Sequence, residues 1–245
     1  MMSTLPEANQ TYGTKDYWIS RFNQENVYEW LVDYQQLKAH LAENINQDDT
    51  ILILGCGNSL LGEKLYNDGY RMIISMDYCE NVVGNMSLHC DSCKSINWLT
   101  MDATNMTIKD NCIDVVLEKA TIDTFLVGEK NLWSLSPSSI EKVDKTLSEI
   151  SRLLKPDGKF ISLSFNQPHF RGKLYSNDKY DWRIKSIDTI GVNFHHYLYV
   201  IQKGLSQTES ADYYVYQPPA ITTIKSEETI EEREENDIFA INLDN

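Results

Sequence analysis

Residues 51–77 restrict what this chain can fold into more than any other stretch. They open with four apolar residues, Ile51-Leu52-Ile53-Leu54, and turn through Gly55-Cys56-Gly57-Asn58. They close on a second run, Ile73-Ile74-Ser75-Met76, that stops at Asp77. An unbroken apolar run marks a strand buried on both faces, and the helical pattern from Ser59 to Asn67 makes the glycines a sharp strand-to-helix turn. Lacking a β-carbon, Gly55 and Gly57 let the main chain adopt unusual dihedrals and let a ligand approach it closely. Asp77 follows Gly55 by 22 residues. In an open α/β sheet this places a carboxylate at the tip of the neighbouring strand, where it accepts hydrogen bonds from ribose hydroxyls. The two features together imply a cofactor that contains adenosine.

What is missing narrows the choice. A dinucleotide fingerprint needs a third glycine where the pyrophosphate rests on the helix start. Leu60 stands there, and Gly62 comes two positions too late. No lysine completes a phosphate loop, which argues against a triphosphate. An adenosine ligand without phosphates remains, and S-adenosylmethionine fits. The rival reading of the glycines is a tight strand–helix corner that binds nothing; Asp77 weighs against it.

The 245 residues suffice for one α/β domain with a modest appendage. No segment approaches the ~18 consecutive apolar residues of a membrane span. The start, Met1-Met2-Ser3-Thr4-Leu5-Pro6-Glu7, lacks the blocks of a secretory signal, so a cytoplasmic protein with reduced thiols is expected. Five cysteines are scattered through the chain. Cys90 and Cys93 form a Cys-x-x-Cys pair with no second pair nearby to complete a zinc site, so no metal is expected and two thiols at a helix end are the simpler reading. The net charge of −14 argues against a nucleic-acid partner. Ten acidic and two basic residues between Leu205 and Asn245 carry −8 of it, which marks residues 205–245 as an acidic, disordered tail.

The order of elements predicts an α/β fold with a doubly wound, mostly parallel sheet of seven strands. Residues 1–14 are expected to be a mobile N-terminus and 15–204 the folded domain. Lys15 to Phe22 is helical and rich in aromatic residues, and Val27 to Leu41 continues the pattern. This segment either covers an edge of the core or forms a lid over the cofactor. Strands ending at Gly55, Asp77 and Asp102 alternate with helices at 59–68 and 80–89. A fourth strand covers 112–118, and a helix from Ser138 to Leu154 carries Ile140, Val143, Leu147, Ile150 and Leu154 on one stripe. Lys155 to Lys159 reads as a sharp turn, 160–165 as a fifth strand, 169–175 as a short helix, and 181–187 with 193–202 as an antiparallel hairpin around Gly191. His195 and His196 are adjacent on a strand, so at most one faces any site.

This layout resembles the seven-stranded S-adenosylmethionine-dependent methyltransferases and, more narrowly, the elongation factor 1-alpha lysine methyltransferase group. The matching stretches are Asp16-Tyr17-Trp18 with Arg21-Phe22, Leu54-Gly55-Cys56-Gly57-Asn58-Ser59, Met76-Asp77-Tyr78, Met101-Asp102, Leu117 to Asp123, and Pro168-His169-Phe170-Arg171. The resemblance implies that Trp18, Tyr28, Gly55, Asp77, Tyr78, Asp102, Ala103 and Lys119 line the cofactor site, with Phe22, Gly57 and Asn58 beside them. Relatives usually carry glycine at the position of Ala120 and often tyrosine at that of Phe22. It also implies transfer of a methyl group to a lysine of a protein, elongation factor 1-alpha.

Methyl transfer from a sulfonium is an in-line displacement for which the protein supplies alignment and desolvation. A lysine with a pKa of ~10.4 must first lose its proton, and burial promotes this. Glu118 and Asp123 are candidates to position the substrate amine. Lys119 also reads as an ordinary loop lysine, and Thr121 as a helix-start residue. The rivals are a small-molecule methyltransferase and a non-catalytic module that binds a partner.

Overall fold

Burial of the apolar runs builds the sheet. The computed structural model describes residue 6, residues 8–191 and residues 194–205. The parallel strands are β1 (Ile51–Leu54), β2 (Ile73–Asp77), β3 (Ile96–Thr100), β4 (Ile113–Lys119) and β5 (Leu154–Ser164). The antiparallel strands β6 (Trp182–Ile190) and β7 (His196–Lys203) extend the sheet beyond β5. The spatial order is β3-β2-β1-β4-β5-β7-β6, so the chain reverses direction across the sheet between β1 and β4. Ligands of such sheets bind at that switch, outside the carboxyl ends of the strands. The helices are α1 (Lys15–Phe22), α2 (Tyr34–Asn44), α3 (Leu61–Asn67), α4 (Glu80–His89), α5 (Pro137–Leu153) and α6 (Pro168–Tyr175).

Local chemistry explains the boundaries. Asp33 caps α2 in a reciprocal capping box with Gln36. Ser136 caps α5, whose first residue is Pro137. Val143, Leu147, Ile150 and Leu153 of α5 pack into a core shared with Leu52, Val116, Phe160, Trp182 and Tyr199.

The structure departs from the sequence reading in four places. Residues Asn9–Gly13 form a 3-10 turn, and Tyr12 is buried there with its carbonyl accepting the Trp18 indole N–H at 2.7 Å. Residues 9–13 are therefore anchored to α1, ahead of residue 15. Between α1 and α2 the chain is not helical but an extended strap over residues 23–33, with Leu31 at φ +65°. β5 begins at Leu154 rather than at residue 160, and the turn expected at 155–159 is a bulge inside it, with Asp157 at φ +64° where the pairing with β4 shifts register. Ile140, in the first turn of α5, is 50% exposed rather than part of the buried stripe. The hairpin loop is described only at its ends. The acidic tail expected at 205–245 lies, after Leu205, outside the described residues.

Candidate active site

The glycine turn and the tip of β2 are joined by hydrogen bonds. Gly55 and Gly57 have φ of +64° and +49°, in the left-handed region. A β-carbon on Gly55 would stand 2.3 Å from Thr121 Oγ1, which donates to the Leu54 carbonyl at 2.9 Å. Glycine is therefore required by both dihedral and space. The Gly57 N–H donates to Asp77 Oδ2 at 3.0 Å, and the Cys79 N–H donates to Oδ1 at 2.9 Å. Each carboxylate oxygen keeps capacity for a further donor. Burial pushes the Asp77 carboxyl above its usual range, against the pull of these N–H groups.

The N-terminal segment packs directly on this turn. The Phe22 ring would lie 3.5 Å from a β-carbon on Gly57 and stacks on Trp18. Arg21 lies under the rings of Tyr28 and Trp30, and its fork holds Glu25 with two contacts of 3.0 Å. Asn58 is buried; its Nδ2 donates to the Glu25 carbonyl at 3.1 Å, its carbonyl accepts the Tyr28 N–H, and its Oδ1 has no partner among the described residues. Glu29 is the hub of the strap. It accepts from Ser59 Oγ at 2.8 Å and the Leu60 N–H at 2.6 Å at the start of α3, and it forms an ion pair with Lys119. Lys119 also donates to the Val32 carbonyl at 3.3 Å, and burial lowers the pKa of its ammonium although Glu29 opposes this. Lys119 is thus a tie between the end of β4 and the strap.

Tyr78 follows Asp77 with Lys15 above its ring, and burial raises the pKa of its phenol. Asp102 is exposed beyond β3, with Oδ1 accepting from the Thr104 N–H and hydroxyl, both at 2.8 Å. Ala103 packs against the core beside it. The cradle of Gly55, Gly57 and Asp77, with the orphan acceptor of Asn58 at its edge, fits an adenosine cofactor bearing an amino acid: Asp77 offers acceptors to hydroxyls, and Asn58 Oδ1 offers one to an ammonium group.

A model described as a methyltransferase domain matches residues 52–162. Mouse "EEF1A lysine methyltransferase 4" is 38% identical over 203 residues, which cover 82% of this chain and 79% of the mouse protein. The chain belongs to the eEF1A lysine methyltransferase family. The human "eEF1A lysine and N-terminal methyltransferase" is 34% identical over 70% of this chain and 24% of its own length. Among solved structures, the N-methyltransferase NodS from Bradyrhizobium japonicum in complex with S-adenosyl-L-homocysteine aligns with a TM-score of 0.56 at 12% identity, covering 77% of this chain and 99% of NodS. That likeness carries the fold. The family's cofactor, S-adenosylmethionine, is the cofactor of this methyltransferase.

The two carboxylates expected to face the substrate amine do not do so in this lysine methyltransferase. Glu118 is fully buried. One of its oxygens accepts from Ser162 Oγ, which also contacts the Tyr175 hydroxyl at 2.7 Å; the other accepts from the Thr121 N–H at 2.9 Å. Asp123 is 2% exposed and accepts from Ser164 Oγ at 2.7 Å, from Asn166 Nδ2 at 2.8 Å and from Arg171. A carboxylate inside the core needs such donors, and β5 and α6 supply them. Both residues fix the loop after β4: both oxygens of Glu118 are engaged, whereas the donors to Asp123 all meet Oδ1 and its buried Oδ2 has no hydrogen-bond partner among the described residues. Ala120, at the head of that loop, has φ +63°. His195 is exposed and His196 is buried. Cys90 ends α4, and all five cysteines are free thiols; burial pushes Cys90 up to about 12. Among the described residues no group of His, Cys, Asp or Glu is arranged to hold a metal, and no helix is long and apolar enough to cross a membrane. Sequence reasoning missed Glu29, whose only signal was an acidic residue between two aromatics in a segment read as helical.

Proposed function

We propose that this enzyme methylates a lysine side chain of translation elongation factor 1-alpha in the cytoplasm. The reading is supported by the family membership and carried by one observation, the hydrogen bond that locks Gly57 to Asp77 and so joins the main-chain turn to the carboxylate in one cradle. Asp77 binds the ribose, Gly55 and Gly57 let the cofactor approach the backbone, and Trp18, Phe22, Tyr28 and Asn58 close the N-terminal side. Tyr78, Asp102 and Ala103 border the adenine. S-adenosylmethionine supplies the electrophilic methyl group. The residues of this chain align the two reactants and exclude water.

Burial of Glu118 and Asp123 bears on the amine. A carboxylate beside the incoming lysine would hold it as an ammonium ion, which has no lone pair to attack with. With these two side chains turned inward, desolvation acts on the lysine without that opposition. The test is titration calorimetry with S-adenosylmethionine, followed by transfer of labelled methyl groups to purified elongation factor 1-alpha and mass-spectrometric location of the label. Cofactor binding with label on lysine is the expected result. Binding with label confined to small molecules would overturn the choice of substrate, and no binding would overturn the assignment of the cradle.

A further inference from the structure

Along α5, Val143, Leu147 and Ile150 enter the core, and Lys142, Glu149 and Arg152 recur beside that stripe at helical spacing. Two of these three charged residues hold the loop that follows β3. Glu149 accepts from the Met106 N–H at 2.6 Å, and Arg152 donates to the Met106 and Ile108 carbonyls at 2.7 and 2.8 Å. Lys142 precedes Glu149 by about two turns, towards the start of α5. That brings it to the head of the same loop, where Asp102 stands.

Lys142 is half-buried, and its ammonium lies over the Phe125 ring at 4.3 Å. Neither a hydrogen bond nor an ion pair holds it among the described residues. Burial lowers its pKa, and the charge that opposes this is Asp102. Asp102 uses Oδ1 for the Thr104 N–H and hydroxyl, and its charge also acts on the Tyr78 phenol at the tip of β2. Tyr78, Asp102, Lys142 and Phe125 are thus successive neighbours. A desolvated ammonium without an acceptor is unfavourable. A carboxylate that acts on it without closing to an ion pair leaves room for a third group between them.

Adenine has an edge that matches. Its amino group is a donor, and a ring-nitrogen acceptor stands on either side of it, N1 and N7. We infer that Lys142 reads the cofactor's base: its ammonium donates to N1 or N7 of adenine while Asp102 accepts from the adjoining amino group, and the Phe125 ring holds the lysine in place. Donor and acceptor then face the base together, so the site selects adenine by chemistry as well as by shape. This inference rests on the reading that Asp102 borders the adenine.

The test is titration calorimetry with S-adenosyl-L-homocysteine and its 1-deaza and 7-deaza analogues, in which C–H replaces N1 or N7. The proteins are the wild type, Lys142→Met, Asp77→Ala and, as control, Lys145→Met, an exposed α5 residue paired with Glu141. Methionine keeps an unbranched apolar stem over Phe125, and the urea midpoint checks the fold of each variant. Lys142→Met should bind S-adenosyl-L-homocysteine about tenfold more weakly than the wild type, and Lys145→Met within about twofold of it. One deaza analogue should bind the wild type about tenfold more weakly than the parent compound, yet bind Lys142→Met as the parent does, which is the mark of a direct pairwise contact. A wild type that binds both analogues as tightly as the parent overturns the contact without recourse to any variant. Lys142→Met within twofold of wild type, while Asp77→Ala binds weakly, also overturns it and leaves the cradle standing. An equal loss for all three ligands in Lys142→Met makes the lysine a support for Phe125 and overturns the contact as well. A wild type that binds none of the three overturns the cradle, and the contact with it.

Discussion

Asp77 holds the glycine turn with one carboxylate oxygen and the start of α4 with the other, so its removal acts on both. Hydrogen bonds to a charged group contribute about 1.5–3 kcal/mol each. Asp77→Ala should therefore weaken S-adenosylmethionine binding about 10- to 100-fold, read by calorimetry. Asparagine is no conservative substitute: both oxygens accept main-chain N–H groups, so an amide NH₂ would face a donor on either side. An affinity for Asp77→Ala within twofold of wild type would remove Asp77 from the site. Ala120 gives a prediction of the opposite sign. At φ +63°, with its N–H bound to the Leu163 carbonyl at 2.9 Å, it holds a conformation that costs an L-residue about 1–2 kcal/mol. Glycine relieves that strain but loses about 0.5–1 kcal/mol to its greater freedom when unfolded. Ala120→Gly should raise stability by about 0.5–1 kcal/mol, seen as a higher midpoint in urea. A lower midpoint would show that contacts of the methyl group outweigh the strain. The glycines and Asp77 were legible because strand-end spacing depends on local sequence alone. The inward turn of Glu118 and Asp123 was not, because it depends on Ser162, Ser164 and Arg171, some 40 residues or more away in the chain.

At the scale of elements, the strands and most helices could be read from apolar periodicity, whereas the strap over residues 23–33 could not. Tyr28 and Trp30, two residues apart as in an extended chain, both clasp Arg21, a contact that apolar periodicity does not report. Glu29 fastens the strap by meeting two donors at the start of α3 and the Lys119 ammonium at the end of β4. Replacing it by glutamine keeps an acceptor for α3 but leaves a nearly buried cation facing an amide. Glu29 is 27% exposed, which tempers the effect, so Glu29→Gln is expected to destabilise the strap by about 1–3 kcal/mol. Hydrogen exchange should quicken across residues 23–33 while the sheet retains its protection. If the strap also closes the cofactor site, S-adenosylmethionine should dissociate several-fold faster. Unchanged exchange in the strap would show that the aromatic cluster around Trp18 holds it without the ion pair.

The whole molecule carries two opposed sets of carboxyl groups. Ion pairs and hydrogen bonds hold Asp68 and Glu149 below their usual range, as hydrogen bonds to Lys155 and Thr50 do for Asp114 against its burial; burial pushes Asp77 and Glu118 above it. The depressed groups stabilise the fold above their unfolded pKa of about 4 and lose that contribution as the pH falls through their folded values. The raised groups do the reverse. Between its unfolded and folded pKa, Glu118 binds more proton in the native state, so stability declines as pH rises through that interval and then levels off. Each tenfold difference in acidity between the two states amounts to about 1.4 kcal/mol. Glu118→Gln isolates the effect, because an amide cannot ionise and can still accept from the Thr121 N–H while its NH₂ donates to Ser162. Denaturant unfolding between pH 4 and pH 8 should show the wild type losing stability relative to Glu118→Gln as pH rises. Parallel curves would mean that Arg171 and the loop N–H groups compensate fully for burial and keep Glu118 at its ordinary acidity. The direction of the divergence therefore reports whether the loop after β4 is held by a neutral acid or by an anion.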